Sequence, residues 1–533
     1  MITRILVKNY RTLRDLTFSP REGMNILVGD NEAGKSTLLE AISLVLTGRI
    51  NGRRIGEEIN PYWFNTDTVD EYFAAIEDGK RPSPPSILIE AYFSQTDEPQ
   101  MLRGTMNSLR EDCPGVRIEI DLDPDFADAF DEYLQSKHPP ILPTEYYRVR
   151  WVDFRDKPLP RRPRELGLAF IDGRAIRSSV GVDHHTRQML TDMVDKRDGA
   201  RISVAYRQAR HELTGTVLST VNKAIKDNTD SLLDQQLQLH MDQSGSSTWE
   251  ASVVPQVDKV PFAMAGQGQQ VMIKTGLALK ASSSTTSFVL VEEPENHLSH
   301  TSLRKVINSI ERLAADRQTF VVTHSSYVLN RLGLNRLHLM QHGTIHGFHE
   351  LQEETVDYFK RQSGYDTLRI VLARRVVILE GPSDEMLFNR AYKDCTGKTP
   401  DDDYIDVITF GTQNRRPLEL CTVLSRSAAV LRDADKKTPE HWRALAQESL
   451  ETGKREMFVG IPADGVTLEP QIIAANAHAE PELREIVHCP EDEDLEDYMS
   501  SNKTEVAWLI ATSDSPIRYP QYITDAISFI RDA

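Results

Sequence analysis

With 533 residues, 39% of them hydrophobic and 27% charged, the chain has the size and composition of an ordinary globular protein of about two to four domains. No apolar run nears the roughly 18 residues of a membrane span, and the opening Met1-Ile2-Thr3-Arg4-Ile5-Leu6-Val7 meets charge at once, so no membrane association and a cytoplasmic location are expected. Four cysteines, 113, 395, 421 and 489, without a C-x-x-C pair argue against zinc or disulfide frameworks, and a net charge of -18 leaves any DNA contact to a local basic patch or to bridging metal ions.

In chain order, residues 25–28 form a short apolar strand that runs into Gly29-Asp30-Asn31-Glu32-Ala33-Gly34-Lys35-Ser36-Thr37, followed by the apolar-periodic segment 38–46. This is G-x-x-x-x-G-K-[ST] between a strand and a helix, the setting the motif requires. Gly29, Asn31, Gly34 and Thr37 belong to a loop whose N–H groups curl around phosphate. Lys35 is expected to reach the β/γ-phosphates and Ser36 to ligate Mg²⁺, so the expected cofactor is ATP with Mg²⁺.

Residues 86–93, 116–120 and 146–154 read as strands. Arg148, Arg150, Arg155, Lys157, Arg161, Arg162 and Arg164, interleaved with Tyr147, Trp151 and Phe154, make a basic stretch. It suits either phosphate binding or a solvated strand edge, since Asp153, Asp156 and Glu165 dilute it. Residues 185–240 read as helical, with Met189, Leu190, Met193, Val217, Leu218, Val221, Ala224 and Ile225 near i, i+3, i+4 spacing. Such an insertion fits a dimerisation element or a cap kept within one protomer.

Ala265-Gly266-Gln267-Gly268-Gln269-Gln270 precedes a helical run, 271–279. The strand 288–291 ends in Glu292-Glu293-Pro294-Glu295-Asn296-His297-Leu298, paired acids of Walker B type: Glu292 is assigned to Mg²⁺ and Glu293 to polarising the attacking water. A further buried strand, 318–322, leads to Thr323-His324-Ser325-Ser326.

Past an expected linker, an apolar strand delivers Glu380-Gly381-Pro382-Ser383-Asp384 to its C-terminal end, and a later strand delivers Asp433-Ala434-Asp435. In an open α/β sheet ligands gather at that edge. The i, i+2 spacing puts both aspartates on one side if the chain stays extended. Hard oxygen ligands suit Mg²⁺ or Mn²⁺, and clustered carboxylates repel one another without a cation. Two such ions would activate water against a phosphodiester and stabilise the leaving oxygen. Glu496, a competing acid, lies within residues 491–497, which hold six acids in seven positions and read as a solvated acidic run.

Lys8-Asn9-Tyr10-Arg11-Thr12-Leu13, the phosphate loop and Glu292 to Leu298 together resemble the SMC/RecF branch of ABC ATPases. The resemblance implies that Tyr10 and Arg11 lie near the nucleotide, that His324 stands where those proteins carry a switch histidine, and that Gly266 and Gly268 belong to a signature touching the nucleotide of the other protomer. The usual signature serine is missing, and Glu292 replaces an aspartate. About 255 residues separate the two Walker motifs, so material is inserted between them. Strand-E-G-x-x-D followed by strand-D-x-D resembles the Toprim domain of topoisomerases, primases and overcoming-lysogenization-defect (OLD) nucleases. Thr467-Leu468-Glu469 and Asn502-Lys503-Thr504-Glu505-Val506-Ala507 are similar to OLD segments that supply a further acid and a lysine facing the scissile phosphate, and Tyr519-Pro520-Gln521-Tyr522-Ile523 to a closing segment.

The expected fold is α/β: an ABC-type (SMC/RecF-like) ATPase head over 1–170 and 246–350, a helical insertion over 171–245, a linker over 351–372 and a Rossmann-like Toprim domain over 373–533. The resemblance, closest to OLD ATPase-nucleases including the nuclease subunit of Gabija systems, implies an ATP-binding, metal-dependent DNA endonuclease of antiphage defence with nucleotide-regulated cleavage. Its metal ligands would be Glu380, Asp384, Asp433, Asp435 and Glu469, and its expected partners are DNA, a second copy or higher homo-oligomer, and a helicase-like or other defence protein. Two rivals are an SMC/RecF-like DNA-repair ATPase whose Toprim unit only docks, and a strand-passing topoisomerase, for which neither Tyr498 nor Tyr519 has a suitable context.

Overall fold

The computed structural model describes residues 1–30, 32–50, 52–95, 99–135, 140–173, 186, 187, 189, 190, 194–228, 238–241, 255–280, 287–341, 343–347, 352–361 and 366–533. Contacts divide the chain into two units, Met1–Leu27, Asn31–Thr323 and Met340–Ile345 in the first, Val28–Asp30, His324–Leu339 and His346–Ala533 in the second.

The first unit opens with a hairpin, β1 (Ile2–Tyr10) and β2 (Leu13–Phe18), before β3 (Met24–Gly29) and helix α1 (Lys35–Thr47). Strands β4 (Ile87–Phe93), β5 (Cys113–Leu122) and β6 (Tyr147–Asp153) extend the hairpin into an antiparallel sheet in the order β2-β1-β4-β5, with β6 beside β5. β7 (Leu168–Asp172) is followed by α2 (Lys196–Gly215) and α3 (Val217–Asn228), then by α4 (Gln267–Lys280), β8 (Phe288–Glu292), α5 (His300–Leu313) and β9 (Gln318–Val322). Here the strands run parallel in the order β7-β8-β9-β3. Every residue of β3, β8 and β9 is buried, which is why each reads as an unbroken apolar run rather than an alternation. α1 buries apolar side chains around most of its circumference. Leu38, Leu39, Ile42 and Val45 share one core with Ile89 and Ile118 of the antiparallel sheet and with Leu290 and Phe320 of the parallel one.

Among its described residues the expected helical insertion holds α2 and α3, with residues 186, 187, 189 and 190 also helical. Asp195 caps α2 by accepting from the N–H groups of Arg197 and Asp198. Val204, Leu213 and Val217 remain well exposed on these helices. Met193 lies outside the described residues, as does much of 171–185.

In the second unit the stretch read as a linker carries two helices, α6 (Glu353–Arg361) and α7 (Asp366–Leu372), which bury Val356, Phe359, Ile370 and Val371. There follow β10 (Arg375–Leu379), α8 (Pro382–Thr396), β11 (Ile405–Thr409), α9 (Arg415–Val423), β12 (Ser427–Arg432), β13 (Arg455–Val459), α10 (Leu468–Ala475), α11 (Lys503–Thr512) and α12 (Gln521–Asp532). The four strands are parallel in the order β11-β10-β12-β13. Strand order reverses after β10, so the carboxyl ends of β10 and β12 flank the crevice where such sheets bind ligands. α8, α11 and α12 pack their apolar faces onto β10 and β12 in a second core. Among the described residues no helix is long and apolar enough to cross a membrane.

Candidate functional sites

At the nucleotide site, β3 hands the chain to the phosphate loop and α1 begins at Lys35. Gly34 has φ +93°, and a Cβ there would come within 2.7 Å of the Leu13 side chain, so only glycine fits. As the N-cap it brings no side-chain acceptor to the first-turn N–H groups, which suits an anion at this 13-residue helix. Lys35 is buried, and Ser36 and Thr37 are half-buried, with the Thr12 hydroxyl 3.3 Å from that of Thr37. Asn31 lies outside the described residues. Register carries the second Walker segment to the same edge: Glu292 stands opposite Val322 of β9, and Val322 opposite Leu27 of β3. Glu292 is 1% exposed. Glu293 then turns with φ +46°, its N–H donating to the Val322 carbonyl at 2.9 Å and its carboxylate accepting from the Asn296 amide at 2.6 Å. A non-glycine residue held in the left-handed region next to a buried acid is the kind of local strain that clusters at reacting centres.

Tyr10 is fully buried, with its hydroxyl held by Glu40 of α1, so it braces the helix and is closed to a nucleotide. Arg11 is half-exposed, has φ +49° and pairs with the same Glu40 at 2.9 Å. Gly266 is exposed just before α4, while Gly268 packs so closely on the His297 carbonyl that a Cβ would lie 2.5 Å from it. His324 is exposed at the residue after Thr323 and falls in the second unit.

The carboxylate site belongs wholly to the second unit. β10 and β12 are adjacent and parallel with Ile378 opposite Val430, so Glu380 leaves the sheet level with Arg432 and Asp433 follows one residue on. Asp384 reaches back from the first turn of α8 to accept the Gly381 N–H at 2.9 Å. Glu469, in the first turn of α10, is 4% exposed and accepts the Thr467 hydroxyl at 2.9 Å and the Lys503 ammonium at 3.0 Å. Thus Lys503 rests on an acid of the site.

Electrostatics bind these groups into one cluster. Burial first, then repulsion from Asp384, Glu380, Glu469 and Asp435, pushes the Asp433 carboxyl up to about 8. Burial raises Glu380 to about 7, opposed by Arg432 and reinforced by Asp435 and Asp384. Asp384 rises to about 6, again through burial first. Asp433 Oδ1 is buried without a hydrogen-bond partner, and the nearest cation to the equally buried Glu380 Oε1 is Arg432 at 3.5 Å. Several desolvated, mutually repelling hard-oxygen donors with unspent lone pairs fit a divalent cation. Among the described residues, no three His, Cys, Asp or Glu side chains are already gathered in a geometry that could hold one.

Asp433 and Asp435 do not share a side as an extended chain would have it. Asp435 has φ +48° and its N–H donates to the Val466 carbonyl at 3.1 Å, so the chain turns away after Asp433. Asp435 is consequently exposed and lies 3.3 Å from Arg432. Arg432 escaped the sequence reading. It is 8% exposed, its guanidinium is 3.6 Å above the Trp442 ring, and it bridges Glu380 and Asp435. The available signal was a charged residue ending an apolar strand just before the acids, since a buried charge must find a partner. Tyr522 was read only as part of a closing segment. It is buried, and burial together with Asp433, Asp384, Glu380 and Glu469 raises its phenol well above the ordinary value. Glu496 heads an exposed helix turn capped by Asp494 and stays out of this cluster.

Comparison with known proteins follows the same division. Residues 4–107 match the AAA domain family, and residues 371–435 match the family described as overcoming lysogenization defect protein-like, TOPRIM domain. The DNA double-strand break repair Rad50 ATPase of Methanopyrus kandleri is 49% identical over 49 residues, 9% of this chain and 6% of that protein. The DNA replication and repair protein RecF of Teredinibacter turnerae is 40% identical over 48 residues, covering 9% of this chain and 13% of RecF. Both similarities therefore span a small fraction of the relatives' length. Among solved structures, the C-terminal region of the Xanthomonas campestris pv. campestris OLD protein aligns with 30% of this chain and 95% of its own at 20% identity and TM-score 0.24. The ATP complex of the recombination mediator RecF aligns with 65% and 97% at 12% identity and TM-score 0.33.

The family matches join an ATPase-type domain to a Toprim domain, in line with the mixed α/β architecture of both units. One chain thus carries a segment similar to an AAA domain and a segment similar to the Toprim domain of OLD-like proteins.

Proposed function

We propose that this chain is an ATP-binding, divalent-metal-dependent DNA endonuclease in which nucleotide regulates cleavage, acting as a homodimer or larger assembly in antiphage defence. The observation that carries the reading is the largely buried cluster of Glu380, Asp384, Asp433 and Glu469 at the carboxyl edge of β10 and β12, in which the proton affinities of Glu380, Asp384 and Asp433 are raised and Glu380 Oε1 and Asp433 Oδ1 have no hydrogen-bond partner. A domain that only docked would gain nothing from such a cluster, because desolvating like charges together costs several kcal/mol on the order of a few pKa units.

In this reading Glu380, Asp433, Asp384 and Glu469 hold Mg²⁺ or Mn²⁺, and Asp435 joins them from the rim. Bound there, the metal supplies a water of lowered pKa as nucleophile and charge stabilisation at the phosphate. Arg432 neutralises Glu380 and keeps Asp435 at the site, while Trp442 fixes the guanidinium from above. Lys503, released from Glu469, offsets charge developing on the phosphate. In the first unit Lys35, Ser36, Thr37 and Glu292 bind ATP with Mg²⁺, Glu293 orients the attacking water, and Arg11, Gly266 and Gly268 complete the nucleotide contacts across two protomers. ATP binding in the same chain gives cleavage a switch, since a second hydrolytic target is lacking among the described sites. The relatives' names, a double-strand break repair ATPase and a replication and repair protein, support DNA as the polymer.

Supercoiled plasmid incubated with Mg²⁺ or Mn²⁺, with and without ATP, tests the reading. Nicked or linear product is expected. Unchanged plasmid would favour the docking role, and relaxed closed circles a strand-passing enzyme.

A further inference from the structure

Arginines on and around the antiparallel sheet fall into two groups. Arg148 pairs with Asp121, Arg150 with Glu119, Arg117 with Asp156 and Arg155 with Asp153, the first two directly across the β5–β6 register. These ion pairs neutralise the basic stretch that the sequence displays. A second group lines a cleft of about 370 Å³ at the far end of α1: Arg49, Arg54, Arg161 and Arg162 surround Trp151, with Glu57 as the acid of the lining. Arg54 and Arg161 make no ion pair among the described residues, and Arg49 spends one N–H on the Gly52 carbonyl at 2.7 Å. The imbalance is not explained by helix capping. At the end of α1 the carbonyls of Ser43, Leu44 and Val45 already accept the Thr47 hydroxyl, the Gly48 N–H and the Trp151 indole N–H. Arg54 and Arg161 therefore leave two exposed guanidinium forks in the cleft, a local positive patch on a chain of net charge -18 that a polyanion can share.

We propose that this cleft is a DNA-anchoring site that takes the sugar–phosphate backbone of a strand, separate from the nucleotide site. It deepens the DNA reading above and rests on it. Arginine forks match phosphate oxygens in pairs. Trp151, held in place by its bond to Val45, offers a fixed aromatic wall for the sugar or a base. α1 has 13 residues, which puts the cleft about 20 Å from Lys35, too far for the cleft to serve bound ATP.

The test uses the full chain and an Arg54→Glu/Arg161→Glu variant, both positions being exposed. Binding of labelled single-stranded and duplex oligonucleotides is measured against salt, beside melting temperature, ATP hydrolysis and Mn²⁺-dependent hydrolysis of a small chromogenic phosphodiester. The expected result is about tenfold or greater weakening on at least one of the two DNA forms and a salt slope shallower by roughly two charges, with the other three readouts unchanged. Parental affinity and slope in the variant overturn the proposal. So does equal competition by polyglutamate of matched charge, which would mark an acidic-protein surface, or a loss confined to stabilisation by inorganic phosphate, which would mark a small-anion site. If the parent binds no DNA the proposal falls, and hydrolysis of the small diester then decides separately whether the nuclease reading stands.

Discussion

Asp433 occupies a position hostile to a negative charge, largely buried and facing four other acids. Its raised proton affinity has a definite sign in stability. A carboxyl whose folded pKa lies above its unfolded value stabilises the fold fully below the ordinary carboxyl range, and that contribution fades as pH rises through the folded value. Asp384, Glu380 and Asp433, at about 6, 7 and 8, titrate as a coupled set, so the metal-free protein should lose melting temperature between about pH 5 and 8. Mg²⁺ or Mn²⁺ binds the deprotonated set and should restore stability most at the upper end. Thermal melts in chelator and in Mg²⁺ across that range check this, and a metal-induced shift that is the same at pH 5 and pH 8 would contradict it. Lys503→Ala should weaken DNA cleavage by about 10- to 100-fold while moving metal affinity less, because its amine acts on charge rather than holding the ion. Equal losses in both, from titration calorimetry and cleavage rates, would assign Lys503 to holding Glu469.

At the scale of elements, the parallel strands carry the argument. Lys35→Ala should abolish ATP hydrolysis with little change in melting temperature, since the loop is set by Gly34 and by α1 rather than by the lysine. Retained turnover in a normally folded variant would remove Lys35 from the site. Strands β3, β8, β9, β10 and β12 were legible because burial on both faces leaves continuous apolar runs, and the motifs sit at their carboxyl ends, where chain direction alone places them. What escaped depended on backbone turns and on long-range packing. The positive φ of Asp435 separates two aspartates that spacing joins, and Arg432 meets Trp442 only through tertiary structure. Tyr10 matched a motif yet is sealed against Glu40, because a match in type carries no information on burial. The basic stretch was likewise visible in sequence, but its neutralisation required the register of β5 against β6.

For the whole molecule, the nucleotide motifs and the carboxylate cluster occupy one chain, and the account holds that the second performs cleavage under control of the first. α2 and α3 expose Val204, Leu213 and Val217, which supports a role in self-association. Removing residues 185–240 should give a smaller mass by light scattering, and an unchanged mass would place the interface elsewhere. The most direct measurement is a Mg²⁺ titration of plasmid cleavage by the parent and by Asp433→Ala, with ATP hydrolysis read in the same samples. Loss of a ligand in a site that generates its own nucleophile predicts a fall in cleavage of about 100- to 10,000-fold with ATP turnover intact. Parental cleavage by Asp433→Ala at limiting Mg²⁺ would contradict the nuclease assignment.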